Sequence, residues 1–331
     1  MVNQRDVAKL AGVSSATVSK YINRVGYISP DLKARIEKTI EKLDYQPNLV
    51  ARNLKMKISN TIGMIFPDIE NDFFISLITK AEEIAFKQGY SIILCNTQNN
   101  PEKEKYYVKI LKGRIVDGYI IITSFNDRAY LEKAMKKEKV VYLDRNIGIK
   151  GQILVKLDNV KGAETAIDYL TDLGHKKIGL LNVSTGITPG AERYKGYLKA
   201  LKKKKIKPDS DLIRISDFTV EDSIKKTQDI LELKKRPTAI LSISDRVTIG
   251  ALKAIKNLGM KIPDDISIIG FDDFKTSELL NPPLTAVVQP AYEFGEVGIN
   301  TLIKIIGGQK LENKTIILEP KFVIRKSCRR I

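Results

Sequence analysis

Cysteine and histidine are scarce in this chain of 331 residues: Cys95 and Cys328 are the two thiols, His175 the single imidazole. The cysteines stand far apart without metal-ligating neighbours, so neither a disulfide framework nor a thiolate metal site is expected, and a reducing compartment fits. One imidazole leaves most acid–base and metal chemistry without its usual parts. His175 itself, in Leu173-Gly174-His175 at the end of an expected helix, reads as a cap or surface residue. Also absent are a Gly-x-Gly-x-x-Gly turn after any strand, a phosphate-cradling Gly-Lys-Ser/Thr loop and a nucleophile elbow. The reading is of a non-enzyme, with no metal and no cofactor. No apolar run reaches membrane-spanning length and no signal peptide precedes the first helices, which predicts a soluble, cytoplasmic protein without a membrane partner.

What the chain has in plenty is positive charge and apolar material. With 43% hydrophobic residues it can fill two or three cores. Its net charge of +17 suits a polyanionic partner, and the charge is unevenly spread. Residues 1–57 hold 11 Lys and Arg against 5 Asp and Glu, whereas the other 274 residues hold 45 against 34. The excess per residue is thus more than doubled at the N-terminal end. The Lys202–Lys205 run reads as a solvated helix face.

The N-terminal end reads as a DNA-binding module. Val7, Ala8, Ala11 and Val18 recur at helical spacing, so two short helices can share one small core. Gly12 frees the backbone for the turn between them, and Ser14 is suited to cap the second helix. That helix opens with Ser15, Ala16, Thr17, Ser19 and Lys20, a small and polar face that can approach base edges in a major groove. A third amphipathic helix, 30–43, carries Leu32, Ile36, Ile40 and Leu43 on one side, with Ser29 as its expected N-cap.

From residue 58 onward, strand and helix alternate. Ile- and Val-rich strands are expected at 61–66, 91–97, 117–124 and 139–144, and again at 153–158, 177–182, 212–216, 238–244 and 267–272. Such strands alternating with helices make parallel sheets covered on both faces, and two series imply two doubly wound lobes. Ligands of open parallel sheets bind beyond the carboxyl ends of the strands, so the space between the lobes is the expected site.

The stretch Asp44-Tyr45-Gln46-Pro47-Asn48-Leu49-Val50-Ala51-Arg52-Asn53-Leu54-Lys55, together with the helical pair before it, resembles the LacI/GalR family of bacterial transcription regulators. The family shows a tyrosine, Pro-Asn and a short hinge helix ending Ala-x-x-Leu there, and the resemblance runs through essentially the whole chain. It implies a helix-turn-helix domain (1–46), a hinge helix (47–57) and a periplasmic-binding-protein-like core crossed three times. The crossings fall near Asp158–Asn159, Gln289–Tyr292 and Glu319–Phe322. One lobe then comprises 58–158 and 290–320, the other 159–289 and 321–331. By the resemblance, Ser15, Ala16 and Lys20 face bases, while Thr17, Ser19 and Asn23 hold phosphates or register. Family members often carry Pro-Ala-Thr-Val-Ser-Arg here; Ser15 and Lys20 replace the proline and the arginine, and lysine lacks arginine's bidentate fork. Within Asn48–Lys55, Leu54 takes the position wedged between base steps of the minor groove, and Ala51 lets two hinge helices approach. About eight residues are too few for a helix stable alone, so a dimer mate and DNA must order it. A homodimer on a pseudo-palindromic operator follows, the chain lacking a leucine-heptad tail.

The resemblance also assigns an effector site. Asn71, Phe73 and Phe74 follow the first strand, in Asn-Asp-Phe-Phe where the family has Asn-Pro-Phe-Phe. Asp144 and Arg145 end another strand, Arg193 starts a helix, Phe218 stacks on a sugar face, Asp272 binds hydroxyls and Gln289 sits at a crossover. Ser244-Asp245-Arg246 stands where the family has Asn-Asp, which puts Ser244 and Arg246 at the cleft. A cleft with Arg145, Arg193 and Arg246 suggests an anionic carbohydrate, a sugar acid or sugar phosphate. The alternative is that Arg145 pairs internally and Arg246 lies on the surface, leaving a neutral sugar. The expected function is a repressor of carbohydrate-utilisation genes, associated with the nucleoid and released by its effector. A regulator controlled by a phosphoprotein partner or a small-molecule corepressor is the alternative.

Overall fold

The computed structural model describes residues 2–23, 25–45, 58–114, 116–124, 127–184 and 186–331. The chain forms two compact units, Met1–Ser59 and Asn60–Ile331.

In the first unit, α1 (Gln4–Ala11), α2 (Ser15–Asn23) and α3 (Pro30–Lys42) surround one small core. Val7, Ala8, Ala11, Val18 and Ile36 are all buried there, as the helical spacing of the first four requires. Asn3 and Asp6 cap α1 reciprocally: Asn3 Oδ1 accepts from the amides of Arg5 and Asp6, and Asp6 Oδ2 accepts from that of Asn3. Gly12, at φ 62°, ends α1 in the left-handed region that a side chain disfavours. Two long side chains hold the turn that follows. Arg35 Nη2 donates to the Ala11 carbonyl at 2.6 Å, and Gln4 Nε2 to that of Ser15 at 2.9 Å. Ser14 caps α2 as expected, accepting from the Thr17 amide at 3.1 Å. Ser29 does not behave as expected: its side chain makes no cap bond, and Pro30 opens α3 instead, at a position where a missing N–H costs nothing.

The second unit begins with β1 (Thr61–Phe66), α4 (Asp72–Lys87), β2 (Ser91–Asn96), α5 (Pro101–Gly113), β3 (Gly118–Ile121), α6 (Arg128–Met135), β4 (Val140–Leu143) and β5 (Ile153–Leu157). It continues with α7 (Asn159–Asp172), β6 (Ile178–Val183), α8 (Thr188–Lys203), β7 (Ile213–Ser216), α9 (Val220–Leu231), β8 (Ala239–Ser242), α10 (Asp245–Asn257), β9 (Ser267–Phe271) and β10 (Thr285–Val288). The chain closes with α11 (Ala291–Ile306), β11 (Thr315–Leu318) and β12 (Lys321–Val323). The strands make two six-stranded sheets, ordered β11-β5-β4-β3-β1-β2 and β12-β10-β9-β8-β6-β7. All neighbours pair in parallel except β12, which runs antiparallel to β10. Because β11 belongs to the first sheet and β12 to the second, the chain passes between lobes three times: after β5, after β10 and after β11.

Both sheets carry fully buried central strands, which is why their sequences read as continuous Ile, Leu and Val runs rather than alternating ones. Helix α11 returns to lie on α4 of the first lobe, and Gly295 makes that approach possible: a Cβ there would stand 2.2 Å from the Leu77 carbonyl oxygen. The lysine-rich end of α8 is exposed, as expected, and carries ion pairs. Lys199, Lys203 and Lys204 pair with Glu164, Asp168 and Asp172 of α7 and its C-terminus at 2.6–2.7 Å. His175 is buried, not a cap or surface group; its ring bridges Thr238 Oγ1 at 2.9 Å and the Arg329 carbonyl at 3.1 Å.

Candidate functional site

Two surfaces carry the expected site residues. On the first, the opening of α2 leaves Ser15, Ala16 and Lys20 exposed and Thr17 and Ser19 half-buried. Thr17 is drawn toward the cap, its hydroxyl 2.9 Å from that of Ser14. Asn23 ends the helix. Asn48, Ala51, Leu54 and Lys55, in the expected hinge, lie outside the described residues.

The second is a cleft of about 590 Å³, part of it open to solvent, between the carboxyl ends of the two sheets. Each of Asn71, Phe73, Phe74, Asp144, Arg145, Arg193, Phe218, Ser244, Arg246, Asp272 and Gln289 lines it. Local sequence puts them there. Asn71 Oδ1 caps α4, accepting from the amides of Phe73 (3.0 Å) and Phe74 (3.3 Å), and thereby sets the two rings at the first turn. Phe73 packs edge-on against Phe74 and Phe294, with centroids 5.2 and 5.3 Å apart. Ser244 accepts from the Val247 amide at 3.4 Å and starts α10.

Four lining residues, Asn99, Asp144, Phe218 and Asp272, hold positive φ angles of 54°, 62°, 74° and 82°. None is a glycine, so each conformation costs energy that the surrounding fold must offset, as at many ligand clamps. Asp144 and Asp272 occupy equivalent places, each just past a strand end, and each donates its amide to the next strand.

The cleft holds opposed buried charges. Arg145 Nη1 donates to the Thr123 carbonyl at 2.6 Å, while its Nε lies 3.8 Å from Asp144 Oδ2. Arg193 sits with its guanidinium 3.7 Å over the centre of the Phe271 ring, Nε donating to Asn159 Oδ1 at 2.8 Å and Nη1 to the Ile243 carbonyl. Gln289 Nε2 donates to Asp272 Oδ1 at 2.5 Å. Burial raises the pKa of Asp144 and of Asp272, against the pull of the neighbouring guanidiniums. Among the described residues, Asp144 Oδ1, Arg145 Nε and Gln289 Oε1 are buried without a hydrogen-bond partner. Orphaned polar atoms of this kind, grouped in one cleft, are what a hydroxylated ligand would satisfy.

Arg246 is neither a free cation nor a surface residue. Its Nη2 reaches across the cleft to Asp68 Oδ2 (2.9 Å) and Glu70 Oε2 (2.8 Å). Arg145 likewise faces a carboxylate, so the cleft does not gather three unpaired guanidiniums. Four carboxylates, Asp68, Asp144, Asp245 and Asp272, line it beside three arginines.

Asp245 and Asp68 are lining residues that sequence reasoning did not place in the site. Asp245 Oδ1 accepts from Asn71 Nδ2 of the opposite lobe at 2.9 Å. Burial first, and the nearby Asp272 second, push its carboxyl up to about 7. Its signal was the Asn-Asp position matched by Ser244-Asp245; Asp68 had only its place in the loop after β1.

Comparison with known proteins agrees with this architecture. Residues 4–48 match the model of bacterial regulatory proteins of the lacI family, and residues 167–328 that of a periplasmic-binding-protein-like domain. The chain is 34% identical to the HTH-type transcriptional repressor PurR of Mannheimia succiniciproducens over the full length of both. It is 36% identical to the ribose operon repressor of Halalkalibacterium halodurans, covering 99% of this chain and 98% of that one. Among solved structures, the lac repressor dimer bound to operator and the anti-inducer ONPF superposes with a TM-score of 0.90 at 27% identity, over 99% of each chain.

Proposed function

The chain belongs to the LacI family of bacterial regulatory proteins, and we propose that an uncharged sugar of pentose or hexose size, bound between its lobes, controls its grip on DNA. It is a sequence-specific transcriptional repressor built from a helix-turn-helix module and a ligand-responsive α/β core.

The observation that carries the sugar reading is the balanced polar ring of the cleft. Carboxylates and the Gln289 carboxamide can accept from hydroxyls, buried guanidiniums can donate, and Phe73, Phe74 and Phe218 offer apolar faces to C–H groups. A free sugar acid or phosphate would bring a further negative charge among four carboxylates. The relative named as a ribose operon repressor makes ribose the first sugar to try.

Ser15, Ala16 and Lys20 are proposed to read bases, with Thr17, Ser19 and Asn23 on the backbone. The hinge residues Asn48, Ala51, Leu54 and Lys55 are proposed to enter the minor groove. One such module reads few base pairs, so two copies on a pseudo-palindrome are needed. Exposed apolar side chains on the edge strands, Leu94 of β2 and Ile215 of β7, offer a surface to the second copy. The working compartment is then the cytoplasm, at the nucleoid.

The test is a gel shift of the purified chain on the region upstream of its own gene, titrated with neutral sugars, sugar acids, sugar phosphates and nucleobases. Release by a neutral sugar is the expected result. Release by an anion or a planar base alone would overturn the neutral-sugar reading while leaving the DNA-binding one intact.

A further inference from the structure

The cleft's partly exposed cation is already engaged. Arg145 and Arg193 are buried, whereas the Arg246 side chain, on the first turn of α10, is 30% exposed and is the guanidinium an incoming anion would meet. It is held from the opposite lobe by Asp68, a partner only 19% exposed, and by Glu70, 78% exposed. The Glu70 amide in turn donates to Asp68 Oδ1 at 2.9 Å, so the short turn that carries Glu70 also orients the Asp68 carboxylate. The Arg246 amide donates at 2.7 Å to Asp245, a third carboxylate alongside.

We propose that Asp68 and Glu70 are specificity-determining residues: by clasping Arg246 across the cleft they withhold it from ligands, and so favour uncharged over carboxylated or phosphorylated sugars. The proposal rests on the neutral-sugar reading above and explains how a cleft with three arginines can hold to it. An anionic ligand would have to displace two carboxylates from the guanidinium or approach them unpaired, and either is unfavourable at this range. Removing the two carboxylate charges frees a fork suited to phosphate.

The full-length chain, its Asp68→Asn/Glu70→Gln variant and the same variant carrying Arg246→Gln are titrated by calorimetry with D-ribose and D-ribose 5-phosphate. In the double variant the affinity ratio should move toward the phosphate by about tenfold or more, the scale of one charge-assisted bond. Adding Arg246→Gln should reverse that shift. An unchanged ratio in the double variant overturns the proposal, as does a shift that survives loss of Arg246. Inorganic phosphate supplies a measurement independent of the sugar. At matched ionic strength it should raise the melting temperature of the double variant and not that of the other two proteins. Failure of ribose to bind would count against ribose as the effector alone, whereas a double variant indifferent to phosphate would count against the clasp.

Discussion

Asn71 and Asp245 lie 174 residues apart in sequence and 2.9 Å apart across the cleft. One amide does two jobs there: its oxygen caps α4 and its nitrogen bonds the first residue of α10. The helix start that presents Phe73 and Phe74 is therefore tied to lobe closure. Ligand-driven movement of one lobe on the other must break or remake this bond, which makes it part of the element that a ligand can bias.

Replacing Asn71 by Asp separates the two jobs. Aspartate is as good an N-cap as asparagine, so α4 should persist. The bridge would instead place two carboxylates face to face, an arrangement tolerated only when one is protonated. Sugar affinity should fall roughly 10- to 100-fold at pH 8 and recover in part at pH 6. Calorimetry at the two pH values checks this; equal affinities at both would show that the bridge does not govern closure.

Asp245 also predicts a pH-dependence of stability. Its folded pKa, about 7, exceeds the ordinary carboxylate value because burial and Asp272 oppose its charge. A raised acid binds its proton more tightly in the folded state. Its penalty is thus absent below about pH 4, grows as pH rises, and is complete above about pH 7. Asp245→Asn keeps an acceptor for Asn71 without the charge. The variant should be more stable than the parent at pH 8, by on the order of 2–4 kcal/mol, with the gain shrinking toward pH 5. Denaturant titrations at both pH values measure it, and a gain equal at both would assign the effect to packing.

Much of this fold was legible in order along the chain. The spacing of Val7, Ala8, Ala11 and Val18 marked a shared helical core, and the apolar runs marked buried parallel strands, because both signals are local. The cleft residues on strand ends, Asp144 and Asp272, were recognisable from the family pattern around them. What stayed hidden was pairing over distance. Nothing near Arg246 in sequence reveals Asp68 and Glu70, which approach only when two lobes meet. Ser29 had the chemistry of a cap, yet its hydroxyl makes no cap bond where Pro30 opens the helix. His175 looked like a helix-end residue because the segment that covers it, around Arg329, arrives 154 residues later.

That burial gives His175 a pH signature of opposite sign. Desolvation first, and the charge of Arg329 with it, lower its pKa from 6.5, outweighing the bond to the Arg329 carbonyl. The folded ring stays neutral while the unfolded one takes a proton. Its contribution to stability is therefore full above about pH 6.5 and declines as pH falls from there through the lower folded value. His175→Gln can still donate to a carbonyl but does not titrate. The variant should be less stable than the parent at pH 7.5, and the gap should narrow by pH 5. A gap constant over that range would mean the imidazole takes up its proton equally in the folded and unfolded states.

The packing of α11 on α4 yields a prediction free of charge effects. A methyl added at Gly295 would stand 2.2 Å from the Leu77 carbonyl oxygen and 3.1 Å from the Ala81 amide nitrogen. Both are backbone atoms inside a helix, so no side chain can swing aside and the helices must part. Gly295→Ala should cost about 1–3 kcal/mol or more, lowering the melting temperature by roughly 2–12 °C for a unit of this size. Because α4 begins at the residues that line the cleft, sugar affinity should fall with it. Gly113→Ala is the control: its Cβ meets nothing within 4 Å at the end of α5, and a helical Gly→Ala exchange in open space should be neutral or stabilising by up to about 1 kcal/mol. Equal melting temperatures for the two variants would mean that α11 yields to the added methyl, and that Gly295 is there for some reason other than close approach.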